Sequence, residues 1–152
     1  MSNETQKGKI ELAIFKKFAE RAGLDVLTKS INKKEPPKPD ICCQINGEGR
    51  VWFELTESCS PEFAEMMNHL PESRVSFTWG SDNTEALLQK KIKKSYPVTE
   101  PVDLLIYTNG RTAMPDNALT AIIQHELSDG TGQFRNIWFM GDNVCQIWLN
   151  KH

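Results

Sequence analysis

The chain has 152 residues, 39% of them hydrophobic and 25% charged, with a formal net charge of −2. These are ordinary values for a soluble globular chain long enough to bury one core, so residues 1–152 are expected to form a single domain. No apolar run approaches the roughly 20 residues that span a bilayer, and the opening MSNETQKGK lacks the apolar centre of a secretory signal, so a cytoplasmic protein is expected.

In chain order, KGKIELAIFKKFAERAGL predicts a helix, because Ile14, Phe15, Phe18 and Ala22 recur at helical spacing and Gly23 is a natural terminator. A short extended piece around DVLTKSI follows, then the stiff connector KKEPPKPD. PDICCQI and RVWFELTES predict two strands joined by NGEG, since Asn-Gly is a strong hairpin signal. SPEFAEMMNHL, with Ser at the N-cap and Pro at the first turn, predicts a short helix. RVSFTW reads as extended, and DNTEALLQKKIKKSY as a helix stopped by Pro97. VDLLIYT suits a buried central strand. MPDNALTAIIQHEL predicts a helix ending near Gly130, and FRNIWFM and NVCQIWLN flank a turn in a terminal hairpin. The whole order predicts an α/β fold with a mixed central β-sheet and flanking helices.

Against this frame three ionisable side chains are out of place. In VWFELTE the side chains alternate, so Trp52, Glu54 and Thr56 share one face, and Val51, Phe53 and Leu55 share the other, expected to be the deep core. A lone buried carboxylate is costly without a partner. On a wheel of about 100° per residue, Glu11 falls in the centre of the apolar stripe of the first helix. Lys91 falls between Leu87 and Leu88, while Lys90, Lys93 and Lys94 point to solvent. Asp40 opens the strand paired with that of Glu54. One reading is a buried ion pair between Glu11 and Lys91, with Glu54 at a sheet edge and Asp40 in a turn. The other is a site in which Glu11, Asp40, Glu54 and Lys91 converge. Two carboxylates on adjacent strands suit Mg²⁺, a hard cation that keeps several waters. Two basic segments, with Lys33, Lys34 and Lys38 in one and Lys90 and Lys94 in the other, would suit a phosphate backbone.

These residues also carry a resemblance. Pro39-Asp40, then Glu54-Leu55-Thr56 after the hairpin, resembles the motif of the PD-(D/E)XK nuclease superfamily, the restriction-endonuclease-like phosphodiesterases. The element order from Lys7 to Thr108 is similar to that family's αβββαβ-type core. The resemblance implies Asp40 and Glu54 as ligands of Mg²⁺ or Mn²⁺, Glu11 as the acidic residue of the first helix, and DNA as partner, with RNA and a homodimer left open. Thr56 departs from the pattern, standing where the family has lysine. Some members carry that lysine on the following helix, where Lys91 lies here. Without a working lysine the domain would be an inactive relative acting as an interaction module.

The four cysteines show no CxxC spacing and the three histidines no zinc spacing, so reduced thiols are expected. A thiol enzyme built on Cys42 or Cys59 would need a paired base, and no histidine is near either in sequence.

Overall fold

The computed structural model describes residues 3–58, 84–110, 112 and 114–149. The short helix expected over SPEFAEMMNHL and the extended RVSFTW lie outside these residues, as does Cys59.

The described residues form a six-stranded sheet in which the strands lie side by side in sequence order. They are β1 (Asn32–Lys33), β2 (Ile41–Ile45), β3 (Gly49–Glu57), β4 (Val102–Tyr107), β5 (Phe134–Met140) and β6 (Val144–Leu149). The β1/β2, β2/β3 and β5/β6 pairs are antiparallel, whereas β3/β4 and β4/β5 are parallel. The sheet is therefore mixed, as the element order predicts, and the fold is α/β. Among the described residues three α-helices flank it: α1 (Asn3–Ala22), α2 (Thr84–Lys93) and α3 (Asp116–Glu126). No described helix is long and apolar enough to cross a membrane.

The two parallel connections step the same way along the sheet, and crossovers of this kind are right-handed. Both therefore leave their helices on one face. There Leu88 of α2 and Leu119 and Ile123 of α3 pack with Trp52, Leu104, Ile106 and Phe139. The opposite face is covered by α1, whose Phe15 and Phe18 pack on Phe53, with ring centroids 4.8 and 5.8 Å apart. This corrects one expectation. The Val51–Phe53–Leu55 face is not the only deep core, because β3 is central and buried on both sides, as strands in parallel pairing are. Glu54 thus lies in a core that α2 covers.

Two local details set up the site. Helix α2 ends at Lys93 rather than continuing through Tyr96. Pro97 disfavours helical backbone in the residue before it, and Val98 N–H instead closes a turn onto Tyr96 O at 2.9 Å. Strand β1, only two residues long, ends on Lys33, the first residue of the stretch expected as connector. Lys34 N–H donates to Asp40 O at 2.8 Å, which folds the proline-rich loop back and brings Lys33 beside the start of β2.

Away from the site, Asp103 of β4 is buried at 1% exposure. It accepts from Arg135 Nε and Nη2, both at 3.1 Å, from Asn136 Nδ2 and from Trp138 Nε1. That network ties β4 to β5 and leaves the carboxylate fully engaged.

Candidate functional site

The β2/β3 register pairs Ile41 with Phe53, so the next position places Asp40 opposite Glu54. The two residues clasp each other. Asp40 N–H donates to Glu54 Oε1 at 3.2 Å, and Leu55 N–H donates to Asp40 Oδ2 at 2.9 Å. Backbone groups of one strand thus fix the carboxylate of the other.

Lys91 Nζ reaches Glu54 Oε2 at 2.5 Å. This follows from the wheel position that separates Lys91 from its neighbours. Its stem runs along the apolar face of α2, and its ammonium emerges over β3. A buried hydrogen bond between the hydroxyls of Ser58 and Thr84, 2.5 Å apart, pins the start of α2 to the end of β3 and holds this register.

Glu11, at 4% exposure, is on the α1 side of the sheet and joins the group indirectly. Lys33 Nζ lies 3.4 Å from Glu11 Oε1 and 3.7 Å from Asp40 Oδ1, and donates to Lys34 O at 2.9 Å. The alternative reading of a Glu11–Lys91 pair gives way to two pairs, Glu11–Lys33 and Glu54–Lys91. Lys33, read from sequence as part of a basic segment facing phosphates, has its ammonium committed to the site's own carboxylates. Sequence periodicity had no means of finding it, since a two-residue strand has no period.

The electrostatics reflect crowding of anions in a dry place. Burial raises the pKa of Glu54 and the charge of Asp40 raises it further, while Lys91 and Lys94 oppose the shift. Burial and Asp40 likewise raise Glu11, against Lys33 and Lys7. Tyr96, which follows α2, is 4% exposed, and its hydroxyl has no hydrogen-bond partner among the described residues. Burial pushes its pKa up, and the neighbouring charges of Glu54 and Asp40 add to the effect, as does its close approach to the Glu54 carboxylate, which falls short of hydrogen-bond geometry.

A cleft of about 840 Å³ runs around the end of β3 between α1 and α2, lined by Lys7, Glu11, Thr56, Lys90, Lys91 and Lys94 among others. Thr56 stands on the same face as Glu54, and Lys91 lines this same cleft. Lys90 and Lys94 are therefore brought to the site. Lys34 and Lys38 are not: they line a separate cleft of about 360 Å³ with Lys29, Arg50 and Trp52. A third hollow, of about 340 Å³, is bordered by Lys7, Glu11, Lys33 and Asp40.

Among the described residues no group of three or more His, Cys, Asp and Glu side chains is arranged to hold a metal ion. The adjacent pair Asp40 and Glu54 does fit Mg²⁺ chemistry. Both offer hard oxygen donors, Mg²⁺ commonly uses only one or two carboxylates with waters completing its shell, and carboxylate oxygens already accepting one bond retain acceptor capacity. Burial first, and then the charge of Asp40, raise Glu54, and a cation would oppose both.

Of the described thiols, Cys42 and Cys43 do not compete as a centre. Cys43 is fully buried with its pKa raised to about 12, chiefly by burial, and Cys42 is raised for the same reason. Such thiols are poor nucleophiles at neutral pH. Comparison with protein-family models, with curated proteins and with solved structures finds no match to this chain.

Proposed function

We propose that this chain is a metal-dependent phosphodiesterase acting on DNA, with Asp40 and Glu54 holding Mg²⁺ or Mn²⁺. The observation that carries this reading is the Asp40–Glu54 clasp with Lys91 bonded to it, Lys91 in turn lining a cleft together with Lys7, Lys90 and Lys94. When bound, the cation supplies Lewis acidity toward a phosphate oxygen and lowers the pKa of a coordinated water.

The chain's own groups do the rest. Leu55 N–H and Lys33 hold the Asp40 carboxylate in place. Lys91, on a flexible stem between Glu54 and the cleft, offsets charge that develops on the transferring phosphoryl group. Lys7, Lys90 and Lys94 receive the phosphate backbone along the cleft. Lys91 then serves in the place that Thr56 leaves vacant in the motif.

The second reading is an inactive domain of nuclease type that binds nucleic acid or protein. Its support is Thr56 itself, together with the engagement of Lys91 by Glu54. Titration calorimetry with Mg²⁺ and Mn²⁺ separates the two. The enzyme reading expects binding heat that disappears in Asp40→Ala, and no heat from the wild-type protein favours the module.

A further inference from the structure

The Tyr96 hydroxyl is the one site feature to which neither reading gives work. It is buried, it feels the charges of Glu54 and Asp40, and although it comes within reach of Glu54 it makes no hydrogen bond of ordinary length and angle to any described residue. Tyr96 is also held firmly. Its N–H donates to Gln133 Oε1 at 2.7 Å, and Gln133 Nε2 donates back to Tyr96 O at 3.1 Å. Its ring packs on Phe134 with centroids 5.7 Å apart, and Lys94 Nζ sits 5.3 Å over its face. A clamp on both sides of the backbone and on the ring fixes where the hydroxyl points. An unpartnered buried hydroxyl is costly, so a group kept there so rigidly invites a partner that arrives in another state of the site.

Glu54 needs such a partner whenever Lys91 leaves it. Lys91 lines the cleft, and a phosphate there would draw its ammonium away. The carboxylate would then be buried and uncompensated on that side. We propose that the Tyr96 hydroxyl is a positioning group held in reserve, which donates to Glu54 when Lys91 turns to a bound phosphate. A small rotation of the Glu54 carboxylate is enough, because the tyrosine is the fixed member and Glu54 the movable one. The exchange frees Lys91 for the cleft while Glu54 stays ionised and oriented. Its purpose rests on the phosphodiesterase reading, but its physical content is a coupling between Tyr96 and Lys91 that needs no substrate.

A double-mutant cycle on thermal stability at fixed pH and salt tests it, with Tyr96→Phe, Lys91→Met and the double variant. In the wild-type background Tyr96→Phe removes a hydroxyl that makes no hydrogen bond of ordinary geometry, so Tm is expected to stay within about 1 °C or to rise. In the Lys91→Met background, which mimics departure of the ammonium, the same change is expected to lower Tm by about 4 °C or more. Equal shifts in both backgrounds overturn the proposal, and so does a fall of that size in the wild-type background, which would mean a hydroxyl already bonded. Where Lys91→Met does not fold, Lys91→Gln completes the same cycle. Absence of nuclease activity in the wild-type protein would refute the phosphodiesterase reading and leave this coupling standing or falling on its own measurement.

Discussion

Replacing Lys91 with methionine isolates the interaction on which the site turns. The side chain keeps its length and its packing along α2, and only the ammonium 2.5 Å from Glu54 Oε2 is lost. Breaking a fully buried ion pair costs about 3–5 kcal/mol, because the remaining charge is stranded. Here the Lys91 side chain is 21% exposed against 5% for Glu54. Water recovers part of that energy, so about 2–3 kcal/mol is expected. For a domain of this length each kcal/mol moves Tm by about 2–4 °C, which gives a fall of about 4–12 °C.

The pH dependence has a definite sign. Burial and Asp40 already raise the folded-state pKa of Glu54 above its ordinary value of 4.5, and Lys91 opposes them. Without Lys91 the folded value climbs further. A carboxyl raised on folding contributes stability that is present below the unfolded value and is lost as pH rises through the folded one. The gap between Lys91→Met and wild type is therefore narrow near pH 4.5 and widens toward neutrality. Scanning calorimetry from pH 4.5 to 8 reads both effects, and Glu54→Gln added to Lys91→Met recovers part of the loss. A variant with unchanged Tm at pH 7.5, or with a gap that widens on acidification, would show that the pair is a surface contact and refute the reasoning.

Other outcomes follow from the same geometry. Glu11→Gln flattens the loss of stability between pH 4.5 and neutrality, since its raised pKa makes Glu11 one source of that loss; chemical denaturation across this range measures it. Gly132 has φ +61°, and a Cβ there would collide with the backbone carbonyl of Ile92. Gly132→Ala therefore destabilises by about 1–3 kcal/mol, read from the denaturation midpoint. Lys90→Ala and Lys94→Ala each weaken DNA binding and lower its salt dependence by about one unit of slope in a fluorescence titration. Lys38→Ala, in the separate cleft, leaves that slope unchanged if only the cleft at β3 holds the backbone.

Much of the architecture was legible because local signals and tertiary structure agree. The period of the first helix, the Asn-Gly turn and the continuous apolar run at Val102–Tyr107 each point to the element that forms. The inward positions of Glu11 and Lys91 were legible for the same reason, since a wheel needs only a helix. Partnership was not. Glu11 and Glu54 lie on opposite faces of the sheet, and nothing in a one-dimensional pattern says that Lys33 spans the gap between Glu11 and Asp40. Tyr96 was hidden differently. The helix expected to run through Tyr96 stops at Lys93, so the tyrosine's burial comes from the turn before Pro97. The basic segments looked like one footprint in sequence, and the fold divides them between two clefts.

The most direct measurement is cleavage of plasmid and single-stranded DNA in Mg²⁺ or Mn²⁺ under single-turnover conditions, comparing wild type with Asp40→Ala, Glu54→Ala and Lys91→Met. The site described here predicts metal-dependent cleavage that Asp40→Ala and Glu54→Ala abolish, and that Lys91→Met slows by about 10²-fold or more. Cleavage that survives Glu54→Ala unchanged would contradict it.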